Sequence, residues 1–323
     1  MPSCSTERQA TSRNRPMEIP PHYLERIAII FPQADPAHMR INRDGLMNDV
    51  VIVPDNGGLQ AFRFAKNEAG KAALRTESAV LATVRPYVSL AVPHFAWHGD
   101  DCVAYPFLAG VPLDRNLLLR QDEAMQNRLA AELATFLRQL HTIPATALAA
   151  LPLRPVLSPT IDELRQQYEE ARILLDPYLW ADQKAWIEQL YLPVLDGTVS
   201  LDYTPALIHN DLASYHILFD PVERRISGVI DFGVAEVGDP AVDFALVINT
   251  YGESFLRRMI PAYPAIAAAL ARARFRAGAL ELWWVLQGLR TNDLSWFMVH
   301  IGRARDVLPL DARASATFEE PLP

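Results

Sequence analysis

Cysteine is almost missing from this 323-residue chain: it occurs twice, as Cys4 and Cys102. Cys4 falls in a polar N-terminal tail, so the pair argues against a structural disulfide and for a reducing cytoplasm. Long apolar runs are missing too. None reaches the length needed to cross a bilayer. The arginine-bearing stretch from Met1 to Pro16 is not followed by the apolar core of a secretory signal. Neither a membrane partner nor export is therefore expected. Basic excess is absent: 30 Lys and Arg face 38 Asp and Glu, a net charge of −8. That sign argues against nucleic acid and is compatible with a cationic ligand. No GxxxxGK[ST] run occurs, which argues against a P-loop phosphate cradle. Internal repeats, low-complexity blocks and Gly/Ser linkers are also lacking.

What is present is the balance of a soluble globular protein, half hydrophobic and 21% charged. The length suffices for two lobes and a sizeable core. After a tail over 1–19, Pro21 to Phe31 reads as a short amphipathic helix. Strand-like segments follow at Met39–Ile41, Asp49–Val53 and Leu59–Ala65, the last two joined by the hairpin signal Asp55-Asn56-Gly57-Gly58. Gly70 to Arg85 reads as a helix with Leu74, Val80, Leu81 and Val84 on one face. Val92–Trp97 and Cys102–Tyr105 read as a second hairpin. Beyond a crossing near Pro106 the pattern turns helical, over Leu113–His141, Ile161–Leu175, Gln183–Leu192 and Val242 to about Val307. The spacing predicts an N-terminal lobe over 20–105, a hinge over 106–112, a helical C-terminal lobe over 113–310 and a tail over 311–323.

Chemistry concentrates between residues 206 and 243. Asp211 follows the apolar strand Ala206-Leu207-Ile208 within His209-Asn210-Asp211. His216 comes five residues later, and Asp231-Phe232-Gly233 ends a second strand, Ser227-Gly228-Val229-Ile230. Gly238-Asp239-Pro240 and Asp243 follow. Two strands joined by a short excursion bring their ends together. One acid can then accept a hydroxyl proton while the other holds magnesium against nucleotide phosphates.

This run resembles the catalytic and metal-binding loops of the aminoglycoside phosphotransferase family, a branch of the protein-kinase-like fold. The kinase signature places Asn five residues after the catalytic Asp and then a separate Asp-Phe-Gly. Here His216 stands in place of that Asn, as in the 2″-aminoglycoside and macrolide kinase branches. The resemblance implies an α+β bilobal fold, with a small antiparallel N-lobe carrying one helix and a larger, mainly helical C-lobe. It implies Asp211 as catalytic base, with His216 and Asp231 as ligands of Mg2+. His209 would shape the loop, and Asp239 and Asp243 would brace the next helix. On simple chemistry a histidine is a poor magnesium ligand, because this ion prefers oxygen.

For the nucleotide, ATP or GTP, the resemblance implies Arg63 as phosphate clamp, with Glu77 as its partner and Lys66 as a rival cation. The phosphate-covering loop would run from Asn42 to Asn48 and holds one glycine, Gly45. Tyr105 and Phe107 would flank the base at the hinge, an aromatic there leaning toward GTP. The acceptor pocket would draw on Glu236, Glu281 and Trp284, with Trp283, Asp293 and Trp296 in the same helices. The expected function is transfer of a γ-phosphoryl group to a hydroxyl of an aminoglycoside antibiotic, by a cytoplasmic monomer. A macrolide, or a sugar or choline-like metabolite, is the alternative acceptor. Two rivals of other classes are a transition-metal hydrolase using His209, Asp211, His216 and Asp231, and a nucleotide-binding module without catalysis.

Overall fold

A computed structural model describes residues 18–43, 45, 47–55, 57–153 and 159–292. The chain clusters into two compact units, with divisions at Leu74/Arg75, His94/Phe95 and Phe107/Leu108. Each unit is built from its own local signals.

In the first unit, proline at the first helical position starts α1 (Pro21–Ile30), where its missing N–H costs nothing. Alternating Val and Ile then give strands β1 (Arg40–Asn42), β2 (Asn48–Asp55) and β3 (Gly58–Ala65). The β2–β3 register pairs Asp55 with Gly58. Strands β4 (Trp97–His98) and β5 (Cys102–Pro106) complete an antiparallel sheet of order β1-β2-β3-β5-β4. Its core packs Tyr23 and Ile27 of α1 on Val51, Val53, Phe62, Phe64, Cys102 and Ala104. The strand expected over Val92–Trp97 is far shorter, because only Trp97 and His98 pair with β5. Pro93 has no N–H for a ladder, and Ala91 bridges to Gly228 instead. Helix α2 (Glu68–Val84) carries the boundary at Leu74 within it.

The second unit is mainly helical. The long amphipathic helix expected within 113–141 is α4 (Glu123–His141), and a short α3 (Arg115–Leu119) precedes it. Each has its own N-cap: Asp114 accepts from the Leu117 amide and Asp122 from the Met125 amide. Next come α5 (Ala145–Leu148), α6 (Ile161–Leu175) with its Thr160–Glu163 capping box, and α7 (Ala181–Leu195). Helices α8 (Ala241–Tyr251), α9 (Glu253–Met259) and α10 (Ala265–Thr291) follow the catalytic run. The part of the last expected helix beyond Asn292, with Asp293 and Trp296, lies outside the described residues. Helices α6, α7 and α10 share a core of Leu164, Tyr168, Leu175, Tyr191, Phe275 and Leu286 among others.

Strands β6 (Val111–Pro112), β7 (Ala206–Ile208), β8 (Ile217–Asp220), β9 (Arg225–Val229) and β10 (Glu236–Gly238) form two small antiparallel ladders, β6-β8-β9 and β10-β7. Gly228 of β9 is where residues 88–94 approach this framework. A Cβ there would lie 2.7 Å from the Ala91 carbonyl oxygen, the atom that accepts the Val229 amide. Gly228→Ala is expected to destabilise the fold by about 1–3 kcal/mol. Thermal denaturation reads this directly, and an unchanged Tm would mean that the Ala91 backbone gives way freely.

Candidate functional site

The β8–β9 hairpin explains why residues fifteen apart in sequence meet. Its register pairs Ile217 with Val229, so His216 lies opposite Ile230, whose amide donates to the His216 carbonyl at 2.9 Å. Asp231 comes one residue later. The His216 ring is buried, with its Nδ1 2.7 Å from the Asp211 backbone carbonyl. A carbonyl accepts only, so Nδ1 carries a proton and donates, and Nε2 is the ring nitrogen that faces the other loop. That Nε2 is 3.4 Å from the Asp231 Oδ2, while Nδ1 is 3.6 Å from the Asp211 Oδ2. One imidazole therefore stands between two half-exposed carboxylates. Asp231 and His216 could hold a cation. Burial pushes the Asp211 carboxyl above its usual range, and the neighbouring His216 and His209 offset part of that rise. Burial, then the charges of Asp211 and Asp231, likewise raise the phenol of Tyr215.

Both acidic loops contain a non-glycine residue in left-handed backbone, Asn210 at φ 64° and Asp231 at φ 67°. Such positions cost of order 1–3 kcal/mol and persist where surroundings over-determine them. The surroundings do so here. Asp243, fully buried in the first turn of α8, accepts the His209 amide at 2.9 Å and the Asn210 amide at 2.8 Å. It also accepts from His141 Nε2 at 3.0 Å, and His141 Nδ1 lies 3.3 Å from the Tyr263 hydroxyl. Burial alone would raise the Asp243 carboxyl, but the hydrogen bond and charge of His141, with His209, outweigh it and hold the group below its usual range. The Asn210 side chain donates to the Val234 carbonyl. On the other loop, the Phe232 amide donates to Glu77 Oε1 at 3.2 Å, and Glu77 is fully buried.

His209 Nε2 donates to the Ile230 carbonyl at 3.0 Å, and Nδ1 accepts the Asp211 amide. Both ring nitrogens are thus occupied, and burial holds the ring neutral by lowering its pKa. His209 has no nitrogen left for a metal, which removes it from the four-ligand set of a hydrolase. Among the described residues, no group of three or more His, Cys, Asp or Glu is arranged to hold a metal ion.

A family model described as "Phosphotransferase enzyme family" matches residues 38–278. The chain belongs to this family. Phosphoryl transfer is the chemistry of that family. The uncharacterized protein YcbJ of Bacillus subtilis (strain 168) is 26% identical over 69% of this chain and 74% of its own length. The viomycin phosphotransferase of Streptomyces vinaceus is 31% identical over 47% of this chain; the match spans about half, 51%, of that relative. Among solved structures, the GDP complex of an aminoglycoside 2'-phosphotransferase-IIIa superposes with a TM-score of 0.76 at 23% identity, covering 88% of this chain and 97% of that one. A macrolide 2'-phosphotransferase from Brachybacterium faecium gives 0.66 at 21%, covering 89% and 98%. These likenesses establish the expected protein-kinase-like α+β fold.

The remaining family-implied residues fall as follows. In the first unit Arg63 is buried in β3, and the Asn48 amide, turned with its oxygen to the guanidinium, accepts from it at 3.0 Å. Lys66 is committed to its own neighbourhood: Nζ donates to the carbonyls of Arg43 and Gly45 and pairs with Asp49 at 3.1 Å. Tyr105 is buried in β5, 5.2 Å from the Phe95 ring. Phe107 is partly exposed, and its amide is spent on the Leu59 carbonyl at 2.8 Å. In the second unit Glu236 sits on β10 opposite Ile208, half-buried, its carboxyl raised by burial and by Asp243. Glu281 is buried in α10, whereas Trp283 is exposed and packs edge-on against Trp284 at 4.7 Å. Asp239 accepts the Ala241 amide and, at 2.8 Å each, Nε of Arg272 and of Arg276, two residues one helical turn apart on α10. Sequence reasoning found neither His141 nor the brace that Arg272 and Arg276 make to Asp239; the one-turn spacing of the two arginines is the signal that could have pointed to it.

Proposed function

We propose that this phosphotransferase moves the γ-phosphoryl group of ATP or GTP to a hydroxyl of an aminoglycoside. The observation that carries the reading is Asp211 and Asp231 on either side of one buried imidazole, each on a loop held in strained backbone. Asp211 orients the attacking hydroxyl and accepts its proton. Its half-buried position keeps it close to neutralising that proton without a solvent relay. Asp231 and Nε2 of His216 would hold Mg2+, whose charge would offset that of the phosphates. The donor set fits, because magnesium takes one or two protein ligands and completes its shell with phosphate and water oxygens. Phosphoryl transfer makes few covalent demands on the protein, so holding these groups still is most of its work. His209, Asp239 and Asp243 do that holding.

For the nucleotide we assign Arg63 and Asn48 to the phosphates and Tyr105 and Phe107 to the base, with Glu77 steadying the Asp231 loop. Glu236, and the negative net charge, suit an ammonium-bearing acceptor. The exposed Trp283 beside Trp284 favours a macrolide as the second reading, since an aromatic wall suits its apolar face. We expect a cytoplasmic monomer. The test is incubation with ATP or GTP and a panel of aminoglycosides and macrolides, read by product mass. Gain of one phosphoryl group on an aminoglycoside is the expected result. Gain on macrolides alone selects the second reading, and no transfer to any hydroxyl compound overturns both.

A further inference from the structure

Between the base and the histidine the chain makes one tight turn, Leu212-Ala213-Ser214-Tyr215. The Ser214–His216 segment is a 3₁₀ turn, closed by the His216 amide on the Ala213 carbonyl at 3.0 Å. In it, neighbouring side chains part company. Leu212 and His216 turn inward and are buried, whereas Tyr215 is 58% exposed. Its ring meets that of His216 edge-on, with centroids 4.3 Å apart and planes at 76°. One edge of Tyr215 is thereby fixed by the ring between the two acids, while most of the aromatic surface remains open. Among the described residues its hydroxyl has no hydrogen-bond partner. The His216 ring that it meets is itself 3.6 Å from the Asp211 carboxylate and 3.4 Å from that of Asp231.

A side chain needed only to brace His216 would be covered by the packing it provides. A large aromatic left open beside two carboxylates instead offers a recognition surface with two properties. Its face takes the C–H side of a saturated ring, and it attracts cations held nearby. We propose that Tyr215 is an acceptor-binding residue, the platform on which an amino-sugar ring rests while its hydroxyl faces Asp211. This rests on the phosphoryl-transfer reading above and adds to it the ring that the loop itself contributes.

The experiment compares Tyr215→Ala and Tyr215→Phe with the parent, using kanamycin as probe. Calorimetric titration of kanamycin, with GDP present, is expected to show about 10-fold weaker binding for Tyr215→Ala and retention within about twofold for Tyr215→Phe. GDP affinity stays at the parent value in both, and in turnover the KM for kanamycin rises while that for nucleotide does not. Exposure of the side chain makes folding of both variants safe, which matching Tm values check. The proposal is overturned if Tyr215→Ala binds kanamycin like the parent. It is equally overturned if GDP binding weakens by the same factor, which would make the ring a brace for His216, or if the parent binds no kanamycin. A parent that binds kanamycin through Tyr215 but transfers no phosphate leaves this inference standing and removes the kinase reading instead.

Discussion

Asp211→Asn is expected to lower kcat by about 10²–10⁴-fold, the usual worth of a positioned acid–base group, or about 3–5 kcal/mol of barrier. Nucleotide affinity should stay near that of the parent, because in the proposed role the side chain serves the acceptor hydroxyl and asparagine keeps its shape. The pH dependence separates this from a general loss of structure. The base works only when ionised, and burial has raised its carboxyl above the usual range. The acid limb of kcat/KM should therefore lie above the ordinary aspartate value of about 3.9, and the variant should lack that limb. Stability runs the other way. A carboxyl whose folded-state pKa is raised contributes stability below its unfolded value and loses it as pH rises through the folded one. At neutral pH the native Asp211 is thus a strained, functional charge, and removing it should leave Tm unchanged or slightly higher. A variant that loses activity together with a large fall in Tm would show that Asp211 holds the loop rather than serving the reaction.

The candidate run was legible because its information is local. His216 and Asp231 flank a hairpin whose register follows from strand patterning, and a 21-residue window contains both with Asp211. What holds them in place was less legible, because its contacts are remote. Glu77 reads as a helix acid paired to Arg63, and nothing in that reading shows that its Oε1 accepts the amide of Phe232, 155 residues away. His141 stands in the sequence only as the end of a helix, yet it meets Asp243 at a separation of 102. Burial decides both, and no period or spacing in a single sequence reports which buried acid finds which amide. Lys66, the rival cation, lies past a strand end, and its flexible stem turns it to the loop carbonyls at Arg43 and Gly45. The strand expected over Val92–Trp97 failed on one atom, the hydrogen that Pro93 lacks.

Asp243→Asn tests whether those remote contacts are what keep the loops strained. Asp243 is wholly buried and accepts three hydrogen bonds, from the amides of His209 and Asn210 and from His141. Asparagine has one acceptor oxygen. Its NH2 must then face either the Asn210 amide or the His209 amide and His141 together, donor against donor. Removing one partner of such a buried network costs about 3–5 kcal/mol, which for this chain would be a large part of its total stability. Denaturant unfolding should show it as a lower midpoint at unchanged slope. The acid response gives a second, independent signature. His209 is held neutral, its pKa lowered by burial, so the native state loses stability as pH falls below the unfolded histidine value of about 6.5. Asp243 has a depressed pKa, so its contribution is present above the unfolded value of about 3.9 and is lost as pH falls through the folded one. Acid unfolding of the parent should therefore proceed in two stages, and Asp243→Asn should lack the second while keeping the first. If the variant is as stable as the parent at pH 7, Asn210 holds its left-handed backbone without Asp243, and the strain in the loop is carried by the Val234 contact and the hairpin alone.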